Sequence, residues 1–218
     1  MKTSRRVTWK PTDASCLQQP PLPRPNAGWG RLYRGHHINV CNNATQHLLQ
    51  ERCVDNIRCA TLLKVLLGML NSGEGGRVFF GVSEGGVVEG ISMTQQQRDC
   101  LMLGVSQCVG EIRPLVLPCD ELVQFIPVLL TQHGSAEEPQ PAAANLQPTD
   151  RYVVIITVRP RAGVVYRSRD SDDVILRQGA SNVTLQGLPL AALLQREQEL
   201  NLQQLQNITD EKLSLILL

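Results

Sequence analysis

Aromatic side chains make up only 4% of this chain, too few rings to build a platform on which single-stranded bases could stack. A paired-thiol framework is missing as well. The seven cysteines (Cys16, Cys41, Cys53, Cys59, Cys100, Cys108 and Cys119) are odd in number and form no Cys-x-x-Cys pair. They read as reduced thiols packed as small apolar side chains, not as a zinc or disulfide scaffold. No apolar run is long enough to span a bilayer, and "MKTSRRVTWKPTDASCLQQPPLPRP" has no apolar secretory core, so the expectation is a protein of the cytosol or nucleus with no membrane partner. No Gly-x-x-x-x-Gly-Lys-Ser/Thr occurs, and the glycines of "LNSGEGGRVFFGV" precede an apolar run of strand character. That order excludes a P-loop; Gly75 and Gly76 instead read as a helix end, and Gly85 and Gly86 as a hairpin turn.

Net charge is +1 and excludes little, but its distribution is uneven. Residues 1–35 carry Lys2, Arg5, Arg6, Lys10, Arg24, Arg31 and Arg34 against the single acid Asp13. Pro20, Pro21, Pro23 and Pro25 stand in this stretch among Gln, Arg and Asn, a composition that supplies no core face. Residues 1–28 therefore read as a disordered, basic, proline-rich lead-in.

With 218 residues and 42% hydrophobic content, the remainder can bury one good core. The domain is expected over residues 29–198. "CATLLKVLLGML", apolar on most sides, predicts a buried helix over 59–70. Arg77 to Ile91 reads as a hairpin turned at "SEGG", and Thr94 to Glu111 as a second helix stopped by Pro114, with Leu101, Val105, Cys108 and Ile112 at helical spacing. "LVQFIPVLL" (122–130) and "YVVIITV" (152–158) read as paired central strands around a flexible polar insertion over 133–150. "VVYRS" and "VILRQG" suggest a hairpin turned at "RDSDD", followed by a closing helix over 188–198. The tail 199–218 reads as an amphipathic helix, with Leu200, Leu202, Leu205 and Ile208 before the apolar "LSLILL". Such a surface is expected to dock on the body or on a partner. This order of elements is α+β, a mixed or antiparallel sheet flanked by helices.

The segments "YRG", "LNSGEGG", "VFFGVSEGGVVEGI" and "VILRQGASN" together resemble the Schlafen family, in its AlbA_2-type, Schlafen-like subgroup. The resemblance runs from about Tyr33 to Gln195 and is most specific over Leu70 to Ile91. For catalytic members it implies a metal-dependent RNA endonuclease acting on tRNA-like or other structured RNA. Two glutamates soon after the "YRG" and one acid after the "GV" strand would hold Mg²⁺ or Mn²⁺, because hard cations require oxygen ligands and charge to activate water at a phosphodiester.

This chain departs from that pattern. Counting from Tyr33-Arg34-Gly35 puts the two glutamate positions at Cys41 and Gln46, with His47 and Leu48 after them; counting from the helix end puts them at Val40 and Thr45. "GHHINVCNNATQHLLQ" holds no acid in either register. Only the third position is acidic, as Glu84. Glu51 and Asp55, at i, i+4 spacing, could rebuild a site or could form a solvated salt-bridge face with Arg52 and Arg58. His36 and His37 lack a partner at ligand spacing. Arg177 could meet phosphate or pair with a carboxylate at the core edge, and Gly179 and Ser181 leave nearby backbone approachable.

The resulting expectation is a non-catalytic, RNA-binding or scaffold subunit on a degenerate nuclease fold, without a confident cofactor. Arg34, Lys64, Arg77, Arg177 and Ser181 are its candidate nucleic-acid contacts. Its partner would be a catalytic Schlafen-like protein or a second copy, engaged through residues 199–218. The alternatives are an active Mg²⁺- or Mn²⁺-dependent RNase using Glu84 with Glu51 or Asp55, and an ATP-binding protein, a reading sometimes attached to this family.

Overall fold

The computed structural model describes residues 32–51, 57–117, 121–130 and 147–216. The basic lead-in 1–28, the expected domain start at Trp29, Asp55, and residues 133–146 of the expected insertion lie outside the described residues.

The chain is α+β, with a curled mixed sheet, two smaller sheets and three helices among the described residues. Helix α1 (Cys59–Asn71) has no side-chain cap at Arg58, and every residue from Val65 to Asn71 is buried. Its helicity therefore rests on burial, not on capping. It connects two parallel strands, β2 (Gln46–Leu49) and β3 (Gly76–Phe80), as a parallel pair requires. Gly68 sits on the face of α1 that meets the strands downstream; a Cβ there would lie 2.5 Å from Asn182 Oδ1.

The large sheet follows the order β1-β6-β7-β3-β2, with β1 Leu32–Tyr33, β6 Glu121–Leu130 and β7 Gln147–Val158; β4 (Ile91–Ser92) adds to β7. Residues Val78 to Phe80 of β3 and Val153 to Val158 of β7 are all buried, as expected of central strands covered on both faces. Strand alternation divides the core in two. Val78, Phe80, Val154, Ile156 and Val158 face α1 and helix α2 (Gln95–Gly110). Phe79, Val153 and Ile155 face the opposite way, onto Leu48, Val82, Val88 and Val128. Among the described residues that second face is closed by loop segments, not by helices.

Several pairings differ from those read in the sequence. The "SEGG" turn forms, with Gly86 N–H donating to Ser83 O at 2.9 Å, but only Val82 bridges Val88. β3 itself lies between β2 and β7, and the returning segment joins β7 as β4. Inside the sheet, β3 pairs along all five of its residues with the 12-residue β7, and β2 covers its other edge. α2 begins at a capping box, Thr94 with Gln97, and ends at Gly110, so Pro114 is not its stop; Ile112–Arg113 have already turned into a short strand, β5. β6 and β7 pair as expected, and β7 takes in residues 147–150, which the sequence assigned to the insertion. β8 (Arg167–Ser168) pairs with β5, whereas β9 (Val174–Gln178) forms its hairpin with β10 (Ser181–Leu185). A single helix, α3 (Gly187–Ile216), covers both the expected closing helix and most of the tail. Leu193 is buried against Val174 and Leu185, while Leu200, Leu202, Leu205 and Ile208 are exposed. Among the described residues no helix is long and apolar enough to cross a membrane.

Candidate functional site

Two segments far apart in sequence meet on the loop-covered face of the sheet. His37 bridges Val87, Ile38 N–H donates to Gly86 O at 2.9 Å, and Val88 N–H donates to His36 O at 2.9 Å. Gln50 Nε2 reaches Val82 O at 3.3 Å. Gly86 has φ +77°, and a Cβ there would stand 2.5 Å from Ile38 O, so the turn seats only with glycine at this point. Glu84, exposed on that turn, is thereby placed beside the strand-like run leading to Cys41.

Cys41 and Gln46 are brought together as well. Cys41 N–H donates to Gln46 Oε1 at 3.2 Å, and Asn43 Nδ2 approaches the same oxygen at 3.5 Å. Asn43 Oδ1 accepts from Thr45 N at 2.9 Å and Gln46 N at 2.8 Å, an Asx-type turn that fixes the loop. Asn42 Oδ1 accepts from Leu48 N at 2.7 Å. The two positions where the resemblance expects carboxylates are thus neighbours, but they present a neutral amide and a soft thiol. A hard divalent cation prefers charged oxygen donors, so this donor set does not fit Mg²⁺ or Mn²⁺. Among the described residues no group of three or more His, Cys, Asp or Glu stands where it could hold a metal ion.

Arg177 explains why the loop is so fixed. It is 4% exposed and spends its guanidinium inward: Nε donates to Asn43 O at 2.8 Å, Nη2 to Gln46 O at 2.9 Å, and Nη1 to Asn182 Oδ1 at 3.1 Å. The sequence reading weighed phosphate contact against core-edge pairing with a carboxylate; the partners in the structure are backbone carbonyls and an amide. Burial lowers the Arg177 pKa from its ordinary value. His47 lies against it, Nδ1 3.4 Å from Nη2, and its pKa is lowered by burial first and by the Arg177 charge second. Nδ1 accepting from Arg177 fits a neutral ring protonated at Nε2.

The other sequence candidates scatter. Arg34 is exposed after β1, Lys64 is exposed on α1, and Ser181 is exposed at the start of β10. Glu51 is half-buried one residue after Gln50. Arg77 alone lies in a concavity, a cleft of about 1070 Å³ at the Gly76 end of β3 that Arg159, Arg161 and Arg196 also line. These three arginines were not singled out in the sequence reading. The signal available was "VRPRAG", two arginines at alternate positions directly after a buried strand.

Asn71 was read only as part of a helix end, yet it is buried and makes three hydrogen bonds to the backbone of two residues. Nδ2 donates to Tyr166 O at 2.9 Å and Ile175 O at 2.8 Å, and Oδ1 accepts from Tyr166 N at 2.8 Å. The "LNSGEGG" signature thus works as a bolt between α1 and the β8–β9 region.

The family model described as "Schlafen-like domain, nematodes" matches residues 18–171. No curated protein matches the chain. Among solved structures, the crystal structure of the DIP2311 protein from Corynebacterium diphtheriae is similar at 14% identity and a TM-score of 0.37, over 65% of this chain and 25% of that one. The match spans about a quarter of the length of that protein.

Proposed function

The chain belongs to the Schlafen-like domain family, and from that premise we propose that it is a non-catalytic subunit that binds RNA or scaffolds it while pairing with another protein. The observation that carries this reading is the Cys41–Gln46 pair. The fold brings both positions together: Gln46 Oε1 accepts from the Cys41 backbone N–H and from Asn43 Nδ2, and Asn43 Nδ2 also approaches Cys41 Sγ. Glu84 adds one carboxylate from the facing turn, and a phosphodiesterase metal site needs several. Retaining the scaffold of a cleft without its ligands is what a binding partner requires and what an enzyme cannot use. The exposed Leu200, Leu202, Leu205 and Ile208 of α3 support the pairing half of the proposal, since adjoining apolar side chains on one protruding helix gain by being covered.

The test is incubation of the purified chain with structured RNA and Mn²⁺, with binding followed in parallel by electrophoretic shift. Binding without cleavage is the expected outcome. Cleavage that disappears in Glu84→Ala would establish the alternative, an active metal-dependent endoribonuclease.

A further inference from the structure

We propose that α3 pairs with α3 of a second copy of this chain, antiparallel, about a two-fold axis at Leu205. The inference rests on the pairing half of the reading above and names the partner.

α3 is 30 residues long, and every residue from Gln198 to Thr209 is exposed. On this stretch Leu200 and Gln204 line the cleft beside the body, while Leu202, Leu205 and Ile208 are left 53%, 55% and 44% exposed. A helix draws most of its stability in a protein from covering its apolar side chains, so these three gain by a partner.

The pattern of residues says which partner. Over Asn201–Thr209 the sequence "NLQQLQNIT" is palindromic in chemical class. Reading outward from Leu205 in either direction meets an amide, a second amide, an aliphatic side chain (Leu202 or Ile208) and a short polar one (Asn201 or Thr209). A two-fold interface sets the same patch of each copy on the other, so that residue i meets j and j meets i. With the axis at Leu205, that residue meets its own counterpart, and Leu202 of each copy meets Ile208 of the other. A different protein would impose no such symmetry on this chain. Thr209 already donates its hydroxyl to Leu205 O at 2.8 Å in its own helix and needs no acceptor across the axis.

Charge points the same way. Leu200 to Thr209 contains no charged residue, so two copies meet no like charge over this stretch, the repulsion by which surfaces suppress a wrong partner. The same absence disfavours a lipid surface, because a helix lying in a membrane interface carries Lys and Arg on its polar face. The patch is small. About 13 Å of helix is too little for the roughly 800 Å² per partner of a standard interface, so the dimer is reversible and depends on concentration.

The experiment is sedimentation equilibrium of the full chain and of two variants, Leu202→Lys and Ile208→Glu, from about 1 μM to 1 mM, where weak complexes dissociate. Both substitutions fall at exposed positions and leave the core untouched. The wild type should pass from monomer to dimer. Each variant alone should weaken the dimer by about tenfold or more, since the axis sets the new charge against an aliphatic side chain twice. An equimolar mixture of the two should recover a dimer within about threefold of wild type, because the introduced ammonium then meets the introduced carboxylate and the other Leu202–Ile208 contact is kept. A parallel pair, or docking elsewhere on the body, predicts no such recovery. A wild type that stays monomeric throughout overturns the self-pairing; capture of a different Schlafen-like protein and a shift of structured RNA by the same sample then decide whether the reading above falls with it. A dimer that neither substitution weakens, or that the mixture fails to restore, overturns the antiparallel register at Leu205.

Discussion

Arg177 donates to Asn43 O and Gln46 O, and removing its guanidinium would take this donor from Asn43 O and leave Gln46 O with Asn43 N–H alone. Arg177→Met should therefore destabilise the fold by about 2–4 kcal/mol, the range for hydrogen bonds to a charged group together with the acceptors left unsatisfied; a urea unfolding curve measures this. Arg177→Lys should recover little, since a single ammonium cannot reach three divergent acceptors. His47 adds a pH dependence to the same contact. Its folded-state pKa is lowered, first by burial and then by Arg177, so as pH falls through the ordinary histidine value the unfolded chain takes up a proton that the folded chain refuses. The stability is complete above that value and lost on acidification, until the folded form protonates too. Urea midpoints measured between about pH 7.5 and 5.5 should fall with pH in the wild type and fall less in His47→Gln. The sequence showed that no acid stands at positions 41 and 46, because that required only knowing which residues stood there. It did not show where Arg177 points, because its partners at Asn43 and Gln46 lie far back in the chain and neutral carbonyls leave no trace in a pattern of side chains.

At the scale of elements, α1 and α2 were legible because burial on helical spacing and a Thr94–Gln97 capping box are local signals. β1 and β2 were not read as strands. At two and four residues they are too short for alternation to register, and "QHLL" is half polar. The pairing of β8 with β5 joins residues with two long strands between them in the chain, and periodicity says nothing about partners. α3 was read as two helices although it is one rod of 30 residues, about 45 Å long. Its first half is pinned through Leu193 and Glu197, and a Cβ on Gly163 would lie 2.7 Å from Asn201 Cβ. Beyond that contact Leu202, Leu205 and Ile208 are exposed. Truncation after Gln198 should leave the melting temperature within a few degrees and abolish self-association or capture of a Schlafen-like partner, as read by light scattering. Full-length and truncated chains that are both monomeric, and that capture the same partners, would reduce the distal half of α3 to a strap.

For the whole molecule, charge is distributed in two places with different consequences. The cleft is lined by Arg77, Arg159, Arg161 and Arg196, whereas residues 1–28 carry five of the seven basic residues of the first 35: Lys2, Arg5, Arg6, Lys10 and Arg24. Deleting 1–28 should flatten the salt dependence of RNA binding, because counterion release scales with the phosphates neutralised. An unchanged salt slope would mean that the lead-in is merely solvated. The cleft itself could not be read from the sequence because its arginines lie between positions 77 and 196, and only the completed sheet brings them to one end.

The parallel pairing of Leu32 with Val128, and of Tyr33 with Leu129, sets a timetable for the nascent chain. As the polypeptide leaves the ribosome, β1 has no mate until β6 has been made, and β3 waits, somewhat less long, for β7. During that interval Leu32, Phe79 and Phe80, all buried in the finished protein, face water. Sheets assembled from such distant segments form slowly and pass through sticky intermediates. Yield in a cell should therefore depend on the pace of synthesis and on chaperones that shield the first half of the chain until the second arrives.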